Sequence, residues 1–158
     1  MRKLNRREVT GLYKMRNALE MFALDEAFAK VEEEQLDRLD EICADWLRLA
    51  RSIRVSEHHV LEGEHNERWI ANDIEFHRIL AQAADNLWLK KVIADLRLTS
   101  RIARSKPSQT TLSDAASTYR MHAGIVRALR KRDLAQARYW MNYHNSIGLA
   151  DARRQAAD

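Results

Sequence analysis

At 158 residues the chain has the size of one domain and can bury a core without disulfide or metal staples. A hydrophobic fraction of 46% with one proline and four glycines excludes a disordered chain and favours long helices over strands, and the lone Cys43 excludes an internal disulfide framework. A net charge of +4, from 27 basic and 23 acidic residues, is too slight to mark a nucleic-acid binder; with no secretory leader or membrane-length apolar run, the chain reads as cytoplasmic with no membrane partner.

The helical period predicts a first helix over about Thr10–Ala29, with Leu12, Leu19 and Ala23 on one stripe, and a second over about Glu33–Arg51, with Leu36, Leu39, Ile42, Trp46 and Leu49 inward. Val55–Asn66 is polar and holds Gly63, which predicts a loop. A third helix is predicted over Glu67–Ala84, closed by Asp85-Asn86, and a fourth over Leu87–Arg104, with Leu89, Val92, Ile93 and Leu96 inward. Pro107 predicts a loop at Ser105–Ser108. A fifth helix follows over Leu112–Lys131, and Asp133 is placed to cap a sixth over Leu134–Arg153. Long helices with short connections predict an all-α antiparallel bundle of six to seven helices with a central metal or ligand cavity. The basic clusters Arg2, Lys3, Arg6, Arg7 and Arg127, Arg130, Lys131, Arg132, like the acidic stretch Glu32–Asp45, read as solvated faces and caps.

Four side chains of metal-ligand type fall where the period calls for apolar residues: Asp73 and His77 in NDIEFHRIL, His122 in YRMHAGIV and His144 in YWMNYHNSI. Asp73 and His77 project one turn apart from one face. His122 shares a stripe with Ala115, Tyr119, Val126 and Leu129, and His144 shares one with Ala137, Trp140 or Met141, and Ile147. Singly, each has an ordinary reading: a hydrogen-bonded core histidine, or an aspartate capping a helix or pairing with an arginine. Together, on antiparallel helices, they are placed to converge on a cation. The set lacks cysteine, which excludes a closed thiolate zinc site; it suits zinc first, with nickel, manganese and iron also compatible. Four protein ligands on an octahedral ion leave two positions open for a bidentate organic acid. His58, His59 and His65 lie in a polar segment out of register and read as solvent-exposed.

Arg16 falls inside the apolar stripe of the first helix, so it either snorkels to the surface or presents its guanidinium to a buried anion. Arg97, Arg101 and Arg104 form a basic row on the fourth helix, solvated unless a member faces the cavity.

NDIEFHRILAQAADN resembles the D-x-x-F-H-x-x-L-x-x-A-x-x-N segment of the FCD domain, the effector-binding C-terminal half of the FadR-type subfamily of GntR transcription regulators. MHAGIVRALRKRDLAQARYWMNYH resembles its later signature H-x-x-I-x-x-A-L-x-x-x-D-x-x-x-A-x-x-x-M-x-x-H, and LYKMRNALE its opening L-x-x-x-R-x-x-L-E. The resemblance covers about Val9–Gly148. It implies a ligand-binding domain over 9–154, preceded at 1–8 by a linker remnant or basic tail. It implies a divalent metal held by Asp73, His77, His122 and His144, with a small carboxylate or sugar acid beside it. Arg16 matches the family's ligand-reaching arginine, and Arg97 and Arg101 are further effector-binding candidates. A homodimer is implied, as is coupling of effector binding to operator affinity.

Two departures stand out. Met121 occupies a commonly acidic position before the third ligand. Only about ten residues precede the first helix, too few for a winged helix-turn-helix. Operator DNA is therefore expected as a partner only for a full-length form carrying that domain. The alternatives are a metal-dependent hydrolase or isomerase acting on a small carboxylate, and an interaction module whose cavity is empty or takes an acyl chain. The enzyme needs a general base beside the open metal position. Glu75 is the nearest carboxylate in sequence, but it lies roughly 200° around the helix from Asp73. No catalytic residue is assigned.

Overall fold

The computed structural model of the chain describes residues 4–102 and 110–156. Six helices follow in order: α1 (Arg6–Lys30), α2 (Glu33–Ile53), α3 (Gly63–Ala83), α4 (Leu87–Ile102), α5 (Leu112–Arg130) and α6 (Leu134–Gln155). The loop expected at Ser105–Ser108 lies outside the described residues. Among the described residues there is no strand; Val60 and Thr111 form an isolated antiparallel bridge. Beside it Leu61 N–H donates to the Thr110 carbonyl at 3.0 Å, tying the α2–α3 connection to the start of α5.

The helix starts follow from local chemistry. Asn5 and Glu8 form a reciprocal capping box, each side chain accepting from the other's backbone N–H at 3.0 Å. This starts α1 at Arg6, so residues 6–8 of the expected tail are helical. Asn86 caps α4 through the Leu89 N–H at 3.0 Å, after Asp85 takes a left-handed φ of 53°. Thr111 and Asp114 box the start of α5, and the Asp133 carboxylate accepts from Gln136 N–H as expected. The third helix begins at Gly63 rather than Glu67. Its first turn is exposed apart from a half-buried Asn66, so no apolar period marks it in the sequence.

α5 packs on α2 and α6, α6 on α1, and α3 on α1, α2 and α4. Consecutive helices that touch across such short connections run antiparallel. The main core joins α1, α2, α3, α5 and α6 through Leu24, Leu39, Trp46, Phe76, Ile125 and Met141. Burial of each such Leu or Phe contributes roughly 1.5–3 kcal/mol. Trp46 packs against Trp69 and Phe76, with centroids 5.8 and 5.7 Å away, and its indole N–H donates to the Trp69 carbonyl.

α4 departs from the expected pattern. Only Leu89, Ile93 and Ser100 are buried on it; Val92, expected inward, is exposed, together with Leu87, Trp88, Leu98 and Ile102. On α1 the buried positions include Arg16 and Glu20 beside Tyr13 and Ala23, so a charged pair interrupts the apolar stripe.

Candidate metal centre and pocket

Asp73 and His77 sit one turn apart on α3, His122 at the middle of α5, and His144 on α6. One ligand atom from each lies within 4.8 Å of the other three. The approach of α5 to α6 depends on Gly124, where an added Cβ would lie 2.5 Å from the Trp140 ring. His122 is two residues before that glycine and His144 one turn after that tryptophan. The close crossing therefore brings the two imidazoles to a centroid separation of 4.5 Å.

The nitrogens are oriented. His122 Nδ1 donates to the Thr118 carbonyl at 2.8 Å, which leaves its Nε2 as an acceptor facing His77 Nε2 at 3.3 Å. Both Nε2 atoms stand 3.8 Å from Asp73 Oδ1. Two imidazole nitrogens, each about 2.1 Å from one ion, are separated by about 3.0 Å in octahedral geometry and about 3.4 Å in tetrahedral geometry. The 3.3 Å spacing fits such a pair. Both ring nitrogens of His144 are buried without a hydrogen-bond partner among the described residues, a costly state that a metal ion relieves at one of the two. The donor set fits a divalent cation.

The electrostatics agree. Burial holds the His77 and His144 imidazoles well below their usual range and pushes His122 down to about 4. All three are therefore neutral near pH 7, the form that binds metal. Burial raises the Asp73 carboxyl, but Arg97 overcomes this and holds it well below its usual range. Arg97 donates to Asp73 Oδ2 at 2.5 Å, which turns Oδ1 toward the histidines, and to Glu20 Oε1 at 2.7 Å. Glu20, only 3% exposed, also accepts from Arg16 Nε at 3.0 Å; burial raises its carboxyl, while Arg16 and Arg97 bring it well below its usual range.

A pocket of about 590 Å³ adjoins this cluster. Asp73 and His144 form part of its wall, with Arg16, Arg97 and Arg101 beside them and Ser113, Ser117 and Thr118 from α5. The three effector-binding candidates, Arg16, Arg97 and Arg101, thus reach one pocket, while Arg104 of the basic row lies outside the described residues. Arg101 stands exposed, Arg16 is buried, and Arg97 is committed to Glu20 and Asp73. Met121, at the position of the family departure, is buried on the pocket wall. His58, His59 and His65 are exposed and away from it, and Glu75 bonds Arg78 on the outer side of α3. Glu20, the last position of the opening L-x-x-x-R-x-x-L-E motif, has no role assigned from the sequence alone; its further signal is the i, i+4 spacing from Arg16 on a buried face.

The fold is an all-helical bundle with a cluster of one carboxylate and three imidazoles between its helices. The FCD domain family matches residues 11–146, and the chain belongs to that family. The HTH-type transcriptional regulator YcbG of Bacillus subtilis (strain 168), described as uncharacterized, is 31% identical over 134 residues, covering 85% of this chain and 50% of that protein. The chain thus spans about half the length of the curated relative it matches. Among solved structures, the metal-free FCD domain of TM0439 superposes with a TM-score of 0.69 over 98% of this chain and 97% of that one. At 17% identity this is a likeness of fold. Both are named as transcriptional regulators, the second as a putative one. Among the described residues no helix is long and apolar enough to cross a membrane.

Proposed function

We propose that this chain is the effector-binding and dimerisation domain of a GntR-type transcription regulator of the FadR subfamily, sensing a small organic acid through a divalent metal at Asp73, His77, His122 and His144. The observation that carries the reading is the meeting of those four ligand atoms at the edge of a pocket that also presents Arg16 and Arg101. When bound, the ion, zinc foremost, supplies a Lewis-acidic anchor for carboxylate and hydroxyl oxygens. Arg16 and Arg97 balance Glu20 and Asp73, so a divalent cation leaves the centre positive and receptive to an anion. Arg16 and Arg101 add charge-assisted donors, and the hydroxyls of Ser113, Ser117 and Thr118 suit a hydroxylated acid. In this reading residues 9–154 are the sensor, and operator DNA is bound by a winged helix-turn-helix in a full-length cytoplasmic regulator.

The purified domain is expected to hold about one divalent ion per chain, and His122→Ala or His144→Ala to lose most of it. A hydroxy acid at about 100 times its dissociation constant contributes about 2.7 kcal/mol of stability by mass action. That gain requires metal and shrinks in Arg16→Ala. Calorimetry or thermal-shift scans with and without chelator check this. An acid that stabilises the chelated protein equally, or full metal content in both histidine variants, overturns the mechanism.

Homodimerisation is part of the same reading. Trp88 is 74% exposed at the start of an α4 that buries only three of its own residues. On α1, Met15 and Phe22 stand out two turns apart. A second copy related by two-fold symmetry covers such faces. Light scattering at protein concentrations well above micromolar is expected to give twice the chain mass. A monomer mass there removes this part of the proposal.

A further inference from the structure

We infer that Glu20 is a positioning residue of the metal centre: its second carboxylate oxygen accepts from the Nδ1–H of His77, keeps the ring proton on that nitrogen and so commits His77 Nε2 to the metal side. The inference rests on the metal reading above. Oε1 of Glu20 is already satisfied by Arg16 Nε at 3.0 Å and Arg97 Nη1 at 2.7 Å. Oε2 is buried, has no hydrogen-bond partner among the described residues, and lies 4.0 Å from His77 Nδ1. That distance is longer than a hydrogen bond. A buried carboxylate oxygen without a donor nevertheless bears its full desolvation penalty, and a small shift of the His77 ring, whose Nδ1 stands 4.0 Å away, supplies one.

The neighbouring histidine shows the same arrangement completed. His122 gives its Nδ1 proton outward, to the Thr118 carbonyl, and turns Nε2 inward. The Nε2 atoms of His77 and His122 face each other at 3.3 Å, so the inward nitrogen of His77 is also Nε2; with no ion between them the acceptor on His122 draws the His77 proton to Nε2, and the Glu20 carboxylate competes for it from the Nδ1 side. An outward acceptor that fixes the tautomer raises the basicity of the inward nitrogen. Glu20 is suited to this because its other oxygen is held by two arginines, one on its own helix and one on α4. The carboxylate therefore cannot turn away from His77 without breaking both pairs. It joins the arginines of the pocket wall to the metal ligand set through a single side chain.

Glu20→Gln tests this with almost no change of shape. Arginine only donates, so the amide oxygen of Gln stays on Arg16 and Arg97, and the NH2 group is left facing His77 Nδ1. That NH2 donates to Nδ1 and drives the ring proton to Nε2, where it blocks the metal. Two measurements are made on the full chain. Long-range proton–nitrogen NMR of the metal-free protein reads the tautomer of His77. Competition of zinc against a chromophoric chelator reads affinity. The expected result is an Nδ1–H tautomer in the original chain and an Nε2–H tautomer in Glu20→Gln. Zinc affinity is expected to fall by about 10- to 100-fold while the circular dichroism spectrum stays unchanged. Glu20→Asp, which retains the carboxylate, is expected to keep the Nδ1–H tautomer. Unchanged tautomer and affinity in Glu20→Gln overturn the role of Glu20 and leave the metal reading standing. Failure of the original chain to bind zinc overturns the metal reading and this inference with it.

Discussion

Replacing Arg97 by methionine is expected to destabilise the metal-free domain by about 3–5 kcal/mol, the usual loss when one partner of a buried ion network is removed. The Arg97 side chain is only 12% exposed and serves two carboxylates, Glu20 and Asp73, 77 and 24 residues away in sequence. Methionine fills much the same volume, so the loss reports charge rather than a cavity. Without the guanidinium, Glu20 retains only Arg16, and Asp73 faces it as a like charge. A divalent ion restores a positive charge beside Asp73, so the deficit is expected to narrow when the variant is loaded with metal. Arg138 provides the contrast: its bidentate pair with Asp25 lies at the surface, where solvent screens the charges and removal is expected to cost little. Urea unfolding in the presence of chelator compares the two variants. A loss in Arg97→Met as small as in Arg138→Met would show that the network carries little of the stability.

Arg97 also marks where reading the sequence stops. Its place on α4, in a row with Arg101, is visible from helical spacing. Its partners are not, because Glu20 comes from another helix and periodicity says nothing of which faces meet. The four ligand-type residues were legible for the opposite reason. Each interrupts an apolar stripe, and a stripe on a helix of a bundle points inward whatever its neighbour. Their convergence to within 4.8 Å then needs only the packing of α3, α5 and α6 about one core. Glu20 was legible as the end of the opening motif but not as part of the centre, although it interrupts a stripe too. It follows Leu19 in a helix with many exposed charges, and its link to Arg16 shows only when both are known to be buried.

The helix ends follow the same division. Asp133 and Asn86 stand next to clear apolar periods and were legible as caps. Asn5 and Glu8 form an equally good box, but they lie among Arg2, Lys3, Arg6 and Arg7, whose charge suggests an unstructured tail. The first turn of α3 is nearly all solvent-facing, and a solvent face has no hydrophobic signature to read. Val92 shows the converse. Apolar residues lie on more than one side of α4, and the chain's own core covers only the side bearing Leu89 and Ile93.

The largest pH effect is expected from the imidazoles of the centre. In the unfolded chain a histidine titrates near 6.5, whereas burial holds folded His122 down to about 4. Between those values the unfolded state binds the proton and the folded state does not, so folding stability falls as pH falls. The His122 contribution is complete above about pH 6.5, declines through the interval and is gone near pH 4, a change on the order of 3 kcal/mol at about 1.4 kcal/mol per pKa unit. His77 and His144 are lowered by burial as well and add to the loss with the same sign. Glu20 and Asp73, held low in the folded state, contribute stability that is lost only at still lower pH. Metal opposes this at first, because it needs the neutral rings, and is then released as protons displace it. Urea unfolding of the chelated domain across about pH 7.5 to about pH 4.5 measures the slope. His122→Phe keeps a ring against Trp46 and Phe76 and removes the titrating nitrogen, so its profile is expected to be flatter. A chelated domain equally stable at both ends of that range would mean that the buried rings take up protons as freely as in the unfolded chain, which their enclosure by Trp46, Phe76 and one another forbids.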